Sequence, residues 1–172
     1  FVILEFDIRN HFKPGPVKYH NVIGYIRGVK HPDEYVMSGC HLDAYDAGSG
    51  AVDCGTGVAP NLEMARLIMA AGGNKPDRTI IFCFWAGEEF GLWGSKFWVE
   101  HHKDRLPRIS NYFNRDGGPL AASGLVVPEN WYEDVKKCTE GLENYDPQIP
   151  FTVEKDSLPA REIPLKEGGS DH

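Results

Sequence analysis

The sequence predicts an α/β fold, a mostly parallel mixed sheet with helices on both faces. Two observations carry this reading. Short apolar runs at 35–40, 79–85 and 109–115 alternate with segments whose apolar residues recur every three or four positions. Such alternation places strands side by side with helical crossovers between them. A third observation concerns chemistry: each of these runs stops at a turn carrying acidic residues, one of them with a histidine.

At 172 residues the chain suits a single domain, 1–172, with a sizeable core. Hydrophobic residues make up 41% and charged residues 25%, ordinary for a globular protein. The net charge of −7 and the lack of any Lys/Arg-rich run argue against a nucleic-acid partner. No apolar run approaches the roughly 18 residues of a membrane span. The first residues already read as structure and the last, Gly168-Gly169-Ser170-Asp171-His172, stop within a site-like loop, so the chain reads as a fragment.

Residues 2–9 alternate, with Leu4, Phe6 and Ile8 opposite Glu5, Asp7 and Arg9, which predicts a half-buried strand. Lys13-Pro14-Gly15-Pro16 breaks it, and 21–27 resumes as a second strand, so the two are expected to form a hairpin. Residues 30–33 read as a turn. Tyr35 to Cys40 is a nearly continuous apolar strand of the kind buried on both faces, ending at His41-Leu42-Asp43. A glycine-rich loop follows. From Thr56 the spacing of Val58, Leu62, Ala65, Ile68 and Met69 predicts a helix, ended by Gly72-Gly73.

Thr79 to Trp85 is a core strand, and Leu92 to His102 a second helix whose terminal His101-His102 suits a helix C-terminus. Ile109 to Arg115 is a strand ending at Asp116-Gly117-Gly118. Beyond it lie a short strand at 125–127, a helix at 131–142 and a strand at 149–153. The cysteines (Cys40, Cys54, Cys83, Cys138) show no C-x-x-C spacing, so Cys40 and Cys83 read as buried free thiols and soft-metal binding is disfavoured.

The adjacent carboxylates Glu88 and Glu89 stand where a core strand ends. They are either an ordinary solvated turn or compensated by something positive. The other strand ends favour the second reading. His41-x-Asp43, Glu88-Glu89 and Asp116 all fall at the carboxyl ends of parallel strands, where open α/β sheets bind ligands. Asp53, in the loop before a helix, can fold over the same edge. One imidazole and several carboxylates in one crevice call for divalent cations, and a pair such as zinc accepts both donor types.

In the order HLDAYDAGSGAVDCGTG, WAGEEFG, NRDGG and GGSDH, residues 20–172 resemble the co-catalytic dizinc exopeptidases, a family that includes zinc aminopeptidases and plasma glutamate carboxypeptidase. The resemblance implies a three-layer α/β/α sandwich, two Zn2+ ions (with Co2+ or Mn2+ as alternatives), a peptide or dipeptide substrate and a secreted or otherwise extracytoplasmic location. It implies His41, Asp53, Glu89 and Asp116 as metal ligands, with Asp53 bridging both ions. Glu88 would be the general base, and Asp43 a catalytic-site carboxylate orienting His41. Two departures stand out. Cys54 follows Asp53 where the family often has Asp or Asn. The fifth ligand, a histidine, is expected beyond His172. The alternatives are a non-catalytic receptor-like or binding relative and a single-zinc glutaminyl cyclotransferase-like enzyme.

Overall fold

The computed structural model describes residues 1–72, 75–118, 120–156 and 169–171. Its elements are β1 (Val22–Ile26), β2 (His31–His41), α1 (Gly55–Gly72), β3 (Arg78–Trp85), α2 (Trp93–His101), β4 (Ile109–Asn114), β5 (Gly124–Pro128), α3 (Tyr132–Cys138) and β6 (Thr152–Asp156). Four strands form one sheet in the order β1-β3-β2-β4, and β5 and β6 form a separate pair. β1 runs antiparallel to β3, whereas β2 is parallel to both β3 and β4. The register sets His41 beside Trp85 and Gly39 beside Asn114, so three carboxyl ends meet at one edge.

The pleat of β3 builds two cores from one strand, because alternate side chains face opposite ways. Phe82 and Phe84 join Cys40 and Cys54 against Val58, Met64, Ala65 and Ile68 of α1. Ile81, Cys83 and Trp85 join Met37 against Trp98 of α2. Trp85 and Trp98 pack with ring centroids 5.9 Å apart. The result is the expected helix–sheet–helix layering, with the mixed sheet in the middle.

At the end of α2, His101 and His102 each direct Nδ1 at the carbonyl four residues back, both at 2.8 Å, and stack on Phe97 and Trp98. They belong to the helix terminus, as expected. Cys40 and Cys83 are buried free thiols, Cys54 is buried as well, and Cys138 is exposed.

Several boundaries differ from the sequence reading. Residues 2–9 form no strand and no hairpin with β1; Leu4, Phe6 and Ile8 are 73%, 76% and 76% exposed. Alternation marks a face that a neighbour can cover, and no described residue covers this one. The expected turn at 30–33 is the start of β2, which carries a register shift between His31 and Tyr35. Pro32 lies inside that irregularity, where a residue without an N–H is tolerated. α3 ends at Cys138 rather than 142; Thr139 Oγ1 turns back to Val135 O at 2.9 Å, and Gly141 adopts a left-handed φ of 93°. β6 begins at Thr152, beyond Pro150, and pairs in parallel with β5.

Candidate metal centre

His41 is the last residue of β2 and is 1% exposed. Its Nδ1 lies 2.9 Å from the Asp43 carbonyl, which can only accept, so Nδ1 carries the hydrogen. That assignment turns Nε2 towards the cleft. There it meets Asp53 Oδ1 at 2.8 Å and Asp116 Oδ1 at 3.2 Å. A neutral imidazole would present a lone pair to two carboxylate oxygens, an arrangement that needs a proton or a cation at its centre. Burial by itself lowers the His41 pKa. The Asp53 hydrogen bond and the charges of Asp116 and Glu88 outweigh it, and the net direction is upward. The site therefore favours positive charge at this point.

Asp53 comes from the loop between β2 and α1, and Asp116 from the end of β4, so three separate chain segments supply the three donors. Cys54 joins them: one donor atom from each of His41, Asp53, Cys54 and Asp116 lies within 4.8 Å of the others. Its Sγ donates to Arg115 O at 3.3 Å. Gly57 allows this close approach. A Cβ there would fall 2.2 Å from Arg115 O, 2.5 Å from Cys54 Sγ and 2.8 Å from Cys40 Cβ. The sequence spacing of the cysteines pointed away from any thiol in the centre, because Cys54 meets its neighbours only through the fold.

The turn after β3 brings Glu88 and Glu89 to the same place. Gly87, at φ 74°, reverses the chain in a left-handed conformation that glycine adopts freely. Asp43 then fixes the turn through its carboxylate: Oδ1 accepts from Glu88 N at 3.1 Å and Oδ2 from Glu89 N at 3.3 Å. The Asp43 carboxylate, expected to orient His41, lies 3.7 Å from Nδ1, and the backbone carbonyl of Asp43 makes that bond instead. Glu88 and Glu89 line a cleft of about 940 Å³ together with Asp53 and Asp116. Burial pushes the Glu88 carboxyl above its ordinary range; His41 opposes this, and Asp116, Asp171 and Glu89 add to it. Glu89 shares the cleft but stands apart from the four converging donors. His172 lies outside the described residues.

Two further residues shape the cleft wall. Asn114 and Ser170 line it and hydrogen-bond through Asn114 Nδ2 and Ser170 Oγ. Asn114 also accepts from Tyr112 OH at 3.0 Å, and that hydroxyl accepts from Trp85 Nε1 at 2.7 Å. This chain of bonds runs from the core to the cleft. Asp171, 7% exposed, accepts from Ser95 Oγ, and burial raises its pKa. The sequence reading set Asn114 and Asp171 in the NRDGG and GGSDH motifs but assigned these bonds, and Ser95, no role, because no spacing rule singles them out.

An imidazole and carboxylates gathered at the carboxyl edge of the sheet form a group that could hold a metal ion. The chain belongs to peptidase family M28, whose profile matches residues 21–172. It is 41% identical to the glutamate carboxypeptidase 2 homolog of Caenorhabditis elegans, covering 98% of this chain and 24% of that one. It is 34% identical to transferrin receptor protein 1 of Gallus gallus, covering 73% of this chain and 16% of the receptor.

Among solved structures, a peptidase M28 precursor from Shewanella amazonensis superimposes with a TM-score of 0.68 at 29% identity, over 88% of this chain and 32% of the other. A zinc aminopeptidase from Bacillus subtilis gives 0.62 at 26% identity, over 88% and 36%. The chain spans about a quarter or less of the length of these curated relatives. No helix among the described residues is long and apolar enough to cross a membrane.

Proposed function

We propose that residues 1–172 are one catalytic unit of a metallo-exopeptidase that hydrolyses terminal peptide bonds with two zinc ions and Glu88 as general base. The observation that carries this reading is the convergence of His41 Nε2, Asp53 and Asp116, three acceptors that face one another once Nδ1 carries the ring hydrogen. Such a donor set fits a divalent cation. His41, Asp53 and Asp116 would hold one ion. Asp53 and Glu89 would contribute to the second. When bound, the ions would polarise the scissile carbonyl and acidify an attacking water.

The remaining work falls to side chains of this chain. Glu88 lines the cleft beside the donors, and its raised pKa suits a group that accepts a proton from water and returns it to the leaving amine. Asp43 holds the Glu88 and Glu89 amides and so fixes where both carboxylates start. The substrate class, a peptide or dipeptide, and an extracytoplasmic location follow from the family relationship and form part of the proposal.

A second reading, a non-catalytic binding relative, is favoured by the match to a transferrin receptor. The retained donor set argues against it. Glu88→Gln is expected to keep its metal and to lose about 10²–10⁴-fold in turnover, whereas Glu89→Ala loses metal. Elemental analysis beside kcat on aminoacyl-nitroanilide and dipeptide substrates, with and without added zinc, tests this. Equal metal loss in both variants would remove the division of labour, and a zinc-loaded chain without turnover would favour the binding reading.

A further inference from the structure

We infer that Cys54 is a metal ligand in this chain, giving the His41–Asp53–Asp116 ion a sulfur donor and the centre an affinity for thiophilic cations. The inference rests on the metal-centre reading above and departs from the family pattern, which often sets Asp or Asn after the bridging aspartate. The motif alone therefore does not supply it; the placement of the thiol does.

Four donors lie mutually within 4.8 Å: an imidazole nitrogen, two carboxylate oxygens and the Cys54 sulfur. Zinc–sulfur and zinc–nitrogen bonds are about 2.3 and 2.0 Å, so donors this close can share one ion after small side-chain shifts. Cys54 is 2% exposed, which shields it from bulk solvent, and it follows Asp53, which lines the cleft. Its Sγ donates to the carbonyl of Arg115 at 3.3 Å, a weak bond to give up, and also interacts with the Cys40 thiol and the Gly57 and Gly117 backbone. Arg115 precedes Asp116, so the sulfur sits beside the backbone that carries another ligand.

The chemistry balances simply. The metal–sulfur bond forms as the S–H bond breaks, and the proton leaves to solvent, because a coordinating thiol is deprotonated outright. The donor set then contains nitrogen, oxygen and sulfur. Soft thiolate shifts preference towards zinc and cadmium and away from magnesium and manganese. Cys40 lies in the same core cluster but precedes His41 and is absent from the converging donors. It is the natural control.

The test is the absorption spectrum of the chain titrated with Co2+. Bound cobalt gives weak d–d bands in the visible, and a cobalt–thiolate bond adds a strong charge-transfer band in the near ultraviolet. Both are expected in the unmodified chain. Cys54→Ser is expected to keep the visible bands, lose the near-ultraviolet band and bind Cd2+ about 10-fold or more weakly. Cys40→Ser is expected to keep both sets of bands. Visible bands without the charge-transfer band in the unmodified chain would overturn the sulfur ligand and leave the metal centre standing. No cobalt bands at all would overturn both readings. A charge-transfer band that survives in Cys54→Ser but vanishes in Cys40→Ser would assign the sulfur to the wrong residue and overturn the inference.

Discussion

Asp43 reaches beneath Glu88 and accepts its backbone N–H through Oδ1 at 3.1 Å. The same carboxylate accepts from Glu89 N through Oδ2 at 3.3 Å, while the Asp43 carbonyl takes the hydrogen of His41 Nδ1. One residue thus joins the end of β2 to the turn after β3. Asparagine at this position can accept through only one of its two terminal atoms. Asp43→Asn is therefore expected to lower kcat about 10–100-fold with a far smaller change in Tm. Unchanged turnover in that variant would show that the turn holds its place without the carboxylate.

Asn61 does similar work between α1 and β2. It is 2% exposed; Nδ2 donates to Gly57 O at 2.9 Å and Gly39 O at 3.3 Å, and Oδ1 accepts from Ser38 Oγ at 2.7 Å. Asn61→Leu keeps the approximate volume and removes both hydrogen bonds that Nδ2 donates, while Gly39 O still accepts from Arg115 N at 2.9 Å. The expected cost is about 1–3 kcal/mol, read as a lower urea midpoint at unchanged slope. Ser38 retains a contact to Phe113 O at 3.2 Å, so the loss falls mainly on the glycine carbonyls.

The thiols differ in reactivity for a reason that carries a sign. Burial pushes Cys83 up to about 12, and burial with the neighbouring Cys54 pushes Cys40 to about 12. A raised thiol pKa lowers the thiolate fraction, to on the order of 10⁻⁴ at pH 8, and the thiolate is the reacting form. Cys138 is exposed. Iodoacetamide at pH 8 followed by mass spectrometry is expected to label Cys138 alone while the chain stays folded. Labelling of Cys83 at a comparable rate would contradict its burial.

Much of this architecture was legible in the sequence because burial writes itself into periodicity. The run from Ile80 to Trp85 is apolar throughout, since helices cover both faces of β3. The strand-end acids were legible too, because parallel strands bring their carboxyl ends to one edge. What failed depended on partners. Residues 2–9 carry a strand pattern, yet no described residue covers their apolar side. Cys54 became a neighbour of His41 only through the fold of the loop across β2. The bonds of Asn61 and Asp171 went unread, since a buried hydrogen bond leaves no period behind. The Asp43 carboxylate, expected to orient His41, accepts the Glu88 amide and lies farther from the imidazole.

The pairing of β4 has a mechanical consequence. Among the described strands it is bonded to β2 alone, at the open side of the sheet. His41 closes β2 and Asp116 follows β4, and the two side chains meet at 3.2 Å. A cation between them would act as a clasp on the outermost strand, tying it at the end where its ladder stops. Hydrogen exchange in residues 109–114 is therefore expected to slow when zinc is added and to recover its speed on chelation. Protection that is indifferent to metal would mean the strand is secured by its ladder alone. If the clasp operates, the groups that do the chemistry also decide how firmly the edge of the sheet is laced.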